Sequence, residues 1–374
     1  MKKKLSILIY SLANGGAERV VSILLNTLKE KYEITLFLMN DTVFYDISEE
    51  IKIVYLEKSN PNESGIKKLL KLPFLAWKLK KYNKNNISIS FMNRANYINI
   101  LAKIFGMKSR VIISERAMPS FQHANGIQGK INRFLIKNLY SKADLIIANS
   151  KGNTCDLIEN FNCKKVETIN NPIDLEKIKE LSSQKVEFRD DSFTFITIGR
   201  LDKGKNHKLM IDAMQNIEAK LYIIGDGELK DELENHIKSL SLENKVTLLG
   251  KQINPYKFLK QADCFLFSSN YEGFPNVLLE ALACNLPIIS TDCKSGPREI
   301  LSPNSDINFK LDKIEISEYG ILVPINDCKN LTKSMNIIIN NKILRERYKE
   351  KTLKRVEYYS LDKIVKKFED NISA

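Results

Sequence analysis

Residues 193–206 read FTFITIGRLDKGKN. The run up to Ile198 is β-branched or aromatic and carries no charge, which suits a strand buried on both faces of a parallel sheet. It stops at Gly199, and a short loop then carries Arg200 and Lys205 up to the next helical pattern. A buried strand that hands a glycine-bearing loop to a helix opens a βα unit. Similar runs occur along the whole chain. In the first half, strands are expected over 4–10, 32–39, 51–56, 87–91, 109–114, 144–148 and 165–169. In the second half they are expected over 193–199, 219–225, 245–249, 263–268, 286–290 and 320–323. A helix is expected over 16–30, where Val20, Ile23, Leu24 and Leu28 share one face. Strands alternating with helices predict an α/β fold of parallel, doubly wound sheets.

A chain of 374 residues is too long for one ordinary core. Asn170-Asn171-Pro172 breaks the pattern, and a charged, helix-like stretch over 174–188 leads to a fresh strand. The reading is an N-terminal domain over 1–180, a C-terminal domain over 181–354, and a closing helix over 355–374. The basic start, Met1-Lys2-Lys3-Lys4, runs directly into an apolar stretch that ends at Gly15-Gly16 without a cleavage-type site. It therefore reads as a first strand and not as a signal peptide. No stretch is apolar enough to span a bilayer. The six cysteines are scattered without a C-x-x-C pair, which favours reduced thiols over disulfides or a zinc site. These features suit a cytoplasmic protein.

The net charge of +13 lies wholly in the first half: residues 1–185 carry 30 basic and 17 acidic residues, and the remainder is balanced at 28 of each. No acidic residue falls between Glu63 and Glu115, whereas eleven basic ones do. Charge segregated in this way faces an anionic partner more readily than it serves general solubility.

Three segments carry candidate chemistry. Gly15-Gly16-Ala17-Glu18-Arg19 follows the first strand and opens the first helix, so its backbone N–H groups could approach an anion; a plain tight connection has the same sequence. Its spacing is not the G-x-G-x-x-G of dinucleotide binders. Arg200 and Lys205 combine a planar fork with a point charge, a set that suits a diphosphate, although a solvated basic loop would look alike. Tyr271-Glu272-Gly273-Phe274-Pro275-Asn276-Val277-Leu278-Leu279-Glu280-Ala281 is the most specific. Pro275 suits the first helical position, and Asn276 and Glu280 share one helix face. A carboxylate there can accept from both hydroxyls of a ribose. An ordinary amphipathic helix explains poorly why Glu280 stands among Val277, Leu278, Leu279, Ala281 and Leu282, because a buried carboxylate is costly.

In this order, the segments resemble the family-4 retaining glycosyltransferases, whose GT-B architecture sets two Rossmann-like domains facing across a cleft. The resemblance covers essentially the whole chain. It implies a nucleotide diphosphate held mainly by the second domain, with Arg200 and Lys205 neutralising it, Glu280 on the ribose and Glu272 at the donor sugar. It further implies substrate contacts from Phe274, Pro275, Asn276 and Val277, from Asp226 and Gly227 on the nucleotide side, and from Gly15 and Gly16 in the first domain. More narrowly, Gly15 to Val21, Gly199 to His207, Phe274 to Leu278 and Lys294-Ser295-Gly296 resemble the N-acetylgalactosaminyltransferases that extend polyprenyl-diphosphate-linked oligosaccharides in bacterial protein glycosylation. That resemblance implies UDP-N-acetylgalactosamine as donor. Many members place a histidine after the strand equivalent to 109–114. Here the chain reads Ser114-Glu115-Arg116, and its histidines are His123, His207 and His236, so none is assigned to catalysis. Glu115 faces either substrate or a salt bridge to Arg116 or Arg94.

The stretch over 65–84, GIKKLLKLPFLAWKLKKYNK, holds seven lysines and no acid among its apolar residues. This is the composition of a helix in the interface of an anionic membrane, with Lys67, Lys68, Lys71, Trp77, Lys78 and Lys81 at headgroup or acceptor-diphosphate level. Pro73 is expected to kink or split it. A crossover helix with a solvated basic face is the alternative. The expected reaction is attack of an acceptor hydroxyl on the anomeric carbon with retention, at the inner face of the plasma membrane. No Asp-rich cluster accompanies the cations, so metal independence is expected, with no cofactor beyond the sugar donor and no nucleic-acid partner. The competing readings are a different donor in capsule, O-antigen or lipopolysaccharide synthesis, an epimerase or phosphorylase on the same architecture, and a non-catalytic nucleotide- or membrane-binding protein.

Overall fold

The computed structural model describes residues 2–13, 15–60, 63–188 and 190–373. Met1 and Ala374, at the ends of the expected first strand region and closing helix, lie outside the described residues. By its internal contacts the chain forms two compact units, Met1–Pro172 with Asp362–Ala374, and Ile173–Leu361.

The first unit contains β1 (Lys3–Ile9), β2 (Tyr32–Leu38), β3 (Lys52–Tyr55), β4 (Ile87–Phe91), β5 (Arg110–Glu115), β6 (Leu145–Ala148) and β7 (Val166–Thr168). They pair in parallel in the order β3-β2-β1-β4-β5-β6-β7. Its helices are α1 (Gly16–Leu28), α2 (Gly65–Leu70), α3 (Leu72–Tyr82), α4 (Asn93–Ile104), α5 (Pro119–Gln122), α6 (Gly126–Leu139) and α7 (Lys151–Phe161). Pro73 splits the basic stretch in two, standing in the first turn of α3, where its missing N–H costs nothing. Leu72, Leu75, Ala76 and Leu79 of α3 join Ala95, Ile98 and Ala102 of α4 and Ile136 of α6 in one core against the sheet. That core also contains polar groups. Ser88 and Ser90 of β4 are fully buried and donate to Asn99 and Asn96 of α4, which bond back to the backbone of Ser88 and Ser114.

The second unit contains β8 (Thr194–Ile198), β9 (Lys220–Ile224), β10 (Val246–Gly250), β11 (Cys264–Phe267), β12 (Ile288–Thr291), β13 (Glu315–Ile316) and β14 (Ile321–Val323). Their order is β10-β9-β8-β11-β12-β14-β13, parallel except for the edge strand β13. Its helices are α8 (Leu175–Ser182), α9 (His207–Ala213), α10 (Lys230–Ser239), α11 (Tyr256–Leu259), α12 (Asn276–Ala283), α13 (Pro297–Leu301), α14 (Cys328–Asn340) and α15 (Lys342–Val356). Two apolar clusters cover opposite faces of this sheet: one rests on α9, α10 and α14, the other on α8, α11 and α12. The last helix, α16 (Leu361–Ser373), belongs to the first unit, where Lys31 pairs with Glu369 and Arg110 donates to the carbonyl of Asn371.

Each sheet reverses its order beside its first strand, between β1 and β4 and between β8 and β11. Doubly wound sheets bind ligands beyond the carboxyl ends of the strands at this switch point. The loops that matter in the second unit are therefore those after β8 and β11, and they carry Arg200, Lys205 and Glu272.

Candidate active site

The loop after β8 is built around Asp202. One carboxylate oxygen accepts from the backbone N–H of Gly204 at 2.9 Å and of Lys205 at 3.1 Å, an Asx-type turn, while the other accepts from Arg200 Nε at 2.6 Å. Burial works to raise the Asp202 carboxyl, but Arg200 and the Lys205 amide outweigh it and hold it below the usual range. From the neighbouring strand end, Ser268 Oγ bonds the carbonyls of Lys205 and Asn206 at 2.8 and 2.9 Å. Asn206 takes a left-handed conformation and starts α9, with its amide on Asn270 and Asn326. This bracing aims two cations differently. Arg200 reaches outward, its side chain 76% exposed, whereas Lys205 lies across to the β11 loop and meets Glu272 at 2.5 Å.

Below this loop sits His207, the first residue of α9, buried and with no hydrogen bond to Nδ1 among the described residues. Burial, aided by the nearby Lys205, lowers its pKa to about 4. The imidazole is neutral at physiological pH, and the loop's positive charge comes from Arg200, Lys203 and Lys205.

The β11 loop is held from its far side. Ser295 Oγ donates to the Gly273 carbonyl at 2.6 Å, and Thr291 Oγ1 donates to the Ser269 carbonyl at 2.7 Å. Gly296 has φ +100°, and a Cβ there would collide with Pro275 Cδ. The loop bearing Ser295 and Gly296 is anchored in turn by buried Arg298, which pairs with Asp292 and with Glu315 on β13. The β9 loop packs equally closely: a Cβ on Gly225, at φ +152°, would run into the Gly199 carbonyl. Asp226 accepts through its backbone carbonyl from the Leu201 N–H and caps its own neighbour, Gly227.

Helix α12 begins at Asn276, so Pro275 precedes it as the cap instead of filling its first position. Glu280 is 5% exposed on a helix whose Leu278, Leu279, Ala281 and Leu282 are all buried. The Phe274 ring is buried against Tyr359, 5.5 Å between centroids, so its side chain belongs to the core. Val277 likewise packs against that core.

The first unit places its expected residues differently. Glu115 is 1% exposed and accepts from Tyr140 Oη at 2.7 Å and from the backbone N–H groups of Arg116 and Ala117, and the Arg116 charge acts on it without a direct ion pair. Burial pushes its carboxyl up to about 7 against those hydrogen bonds. Arg94 pairs instead with Glu57. At the Gly15–Gly16 turn, the Glu18 carboxyl folds against Gly15, so the chain's own carboxylate lies over the expected anion cradle. Of the membrane-facing set, Lys67, Trp77 and Lys81 are exposed, and Lys81 lies over the Trp77 ring at 5.5 Å. Lys68 sits over Tyr10 at 5.4 Å. Lys71 is turned inward to Glu63 at 2.5 Å and Glu57 at 3.4 Å, and Lys78 donates to the Leu56 carbonyl. The sequence carried no sign of these pairings, nor of the roles of Asp202, Ser268 and Arg298. Only the D-x-G-K spacing after β8 could have signalled the Asx turn.

Two doubly wound sheets, each with its own switch point, define a protein of the two-Rossmann type, and the comparisons give its family. Residues 14–177 match the model described as Glycosyltransferase Family 4, and residues 178–355 match Glycosyl transferases group 1. The chain belongs to the family-4 glycosyltransferases and has the GT-B fold. It is 43% identical to the Campylobacter jejuni N-acetylgalactosamine-N,N'-diacetylbacillosaminyl-diphospho-undecaprenol 4-alpha-N-acetylgalactosaminyltransferase, over 97% of this chain and 98% of that protein. It is 28% identical to a second C. jejuni enzyme, the α-1,4-N-acetyl-D-galactosaminyltransferase acting on a GalNAc-containing diNAcBac-PP-undecaprenol, over 96% of both chains. Among solved structures, Anabaena Alr3699/HepE in complex with UDP and glucose superposes with a TM-score of 0.76 at 18% identity, covering all of both chains. No helix among the described residues is long and apolar enough to cross a membrane.

Proposed function

We propose that this glycosyltransferase moves N-acetylgalactosamine from UDP-N-acetylgalactosamine onto a polyprenyl-diphosphate-linked glycan, with retention, as a peripheral enzyme at the cytoplasmic face of the plasma membrane. The observation that carries the reading is the full-length 43% identity to the Campylobacter transferase, whose name states that donor residue and that kind of acceptor. The geometry of the second unit supports it. Lys205 is held ready by Glu272 at the strand end, Arg200 projects outward beside it, and the N-terminus of α12 follows the Glu272 loop. Negative charge develops on the departing diphosphate, and those cations with the helix N–H groups stabilise it.

In this reading the diphosphate takes the Lys205 ammonium from Glu272, whose carboxylate then accepts hydrogen bonds from the donor sugar. Glu280 accepts from the ribose hydroxyls, with Asn276 on the same helix face. The loop at Asp226 and Gly227 borders the nucleotide, and the backbone at Phe274 to Val277 approaches the phosphates. The Gly15–Gly16 turn meets a substrate oxygen once Glu18 moves aside. A leaving phosphate oxygen takes the acceptor proton, so no protein nucleophile is required. Arg200 and Lys205 supply the charge that a metal ion would otherwise provide, and turnover should persist in EDTA. The exposed lysines and Trp77 of α2 and α3 meet the anionic membrane surface or the acceptor diphosphate.

The test is a donor screen with a short polyprenyl-diphosphate glycan, following released nucleotide, product mass and anomeric configuration. Transfer of N-acetylgalactosamine with retention, lost in Glu280→Ala, supports the whole reading. Transfer from another donor removes the sugar assignment and leaves the enzyme class.

A further inference from the structure

Helix α6 has a buried side and, opposite it, an apolar exposed one. Gly129, Asn132 and Ile136 are buried beneath it. At roughly 100° per residue, Ile127, Ile131 and Phe134 fall on the opposite side, pointing away from the core. They are exposed by 77%, 36% and 67%. An i, i+4, i+7 stripe of large apolar residues turned to solvent does not contribute to folding and marks an interaction face.

Three observations say what covers it. First, Lys130 and Lys137 are exposed beside the stripe. Second, Glu115 is the only acid between Glu63 and Asp144, against sixteen basic residues, and it is buried, so the span that forms α2, α3 and α6 exposes no carboxylate of its own. Third, the stripe continues onto its neighbours. Gln128 of α6 lies against Gly65, where α2 starts, and α2 exposes Ile66 and Leu70. On α3, exposed Phe74 and Trp77 stack at 6.4 Å, with Lys78 and Lys81 over their rings. Helices that carry apolar residues flanked by lysines and no carboxylate of their own complement the interface of an anionic bilayer.

We infer that α6 is a lipid-inserting helix, its Ile127–Ile131–Phe134 stripe continuing the α2 and α3 surface into one face that seats the first unit on an anionic bilayer. The inference rests on the proposed work at a membrane surface but assigns the anchoring to a helix outside the basic stretch. Insertion places the apolar stripe among acyl chains and leaves Lys130 and Lys137 at headgroup level.

The experiment uses the full chain and its single tryptophan. Trp77→Phe removes that fluorophore, and Phe134→Trp in the same background places it on α6. Vesicles of phosphatidylcholine with phosphatidylglycerol should shift the new emission to the blue, and brominated acyl chains should quench it. The triple variant Ile127→Ser, Ile131→Ser, Phe134→Ser should lose about tenfold or more of vesicle partitioning. Its turnover on a water-soluble short-chain acceptor should equal the parent's, which also shows that it is folded. An α6 tryptophan that neither shifts nor is quenched on vesicles that bind the parent overturns the inference, and the stripe then faces a protein. A parent that binds no vesicle, anionic or neutral, overturns the membrane reading along with it.

Discussion

In the second unit, the loops beyond β8 and β11 hold their charges in exchangeable form, a lysine on a glutamate and an arginine reaching into solvent. In the first unit, the same edge of the same kind of sheet has been closed by the chain itself. Glu18 lies over the Gly15 turn after β1, and the Glu115 carboxylate at the end of β5 is used by Tyr140 and two backbone amides. The first unit instead sets eight basic residues and no acid on α2, α3 and α6. Similar sheets therefore carry their charge differently. One holds exchangeable charge at its strand ends, the other carries a basic surface on its helices, and each substitution below separates the two.

Lys205→Ala should have the largest effect. It removes the buried-side cation from the switch point and leaves Glu272 without its partner. Loss of a charge that stabilises a leaving diphosphate costs about 10²–10³ in kcat. UDP release under saturating donor should show the loss in kcat more than in KM. A kcat within a few-fold of the parent's would mean that the strand-end chemistry lies elsewhere.

Glu115→Gln probes the closed edge. Because burial raises this carboxyl from 4.5 to about 7, the folded chain keeps a proton through that window that the unfolded chain has released. Stability should therefore fall as pH rises from about 4.5 to 7 and level off above, by up to about 3 kcal/mol. Glutamine has no proton to lose, so the stability of the parent relative to the variant should decline between pH 5 and pH 8. Urea midpoints for both proteins at the two pH values measure this. A difference that does not change with pH would show that Glu115 stays ionised in the fold.

These two positions also show what the sequence could and could not tell. The strands were legible because a buried parallel strand needs an uncharged β-branched run, and Pro73 divided the basic helix where its ring and missing N–H require it. The edge strand β13 was missed because two residues at a sheet margin leave no periodic trace. Lys205 and Glu272 were each visible in their motifs, but their pairing across 67 positions was not, since it depends on β8 and β11 being neighbours. Glu115 looked available for the same reason: Tyr140, which buries and binds it, comes from a separate helix-end turn. The inward turn of Lys71 needed Glu57 and Glu63 to be brought beneath it. The α6 stripe went unread because Ile127, Ile131 and Phe134 resemble core residues until the helix is rotated onto its sheet.

Gly296→Ala should act on the support of the second edge. Its φ of +100° and the closeness of Pro275 leave no room for a methyl group. The cost should be about 1–3 kcal/mol in stability, with a raised donor KM because the Glu272 loop shifts. Thermal unfolding and donor titration measure the two effects together. A variant with the parent's Tm and KM would show that the brace from Ser295 to Gly273 holds the loop without it.

The smallest effect belongs to the helical surface. Lys67→Gln and Lys81→Gln each remove one exposed charge, worth about 1 kcal/mol at an anionic bilayer, or roughly fivefold in vesicle affinity. Sedimentation with phosphatidylglycerol vesicles should show that loss at low salt and a smaller one as salt screens the surface. Transfer to a water-soluble acceptor should keep the parent's donor KM, because neither lysine stands in the second unit. If either change instead raised the donor KM while leaving vesicle binding intact, the division of labour between the two units would be wrong, and the charged helices would belong with the strand-end chemistry.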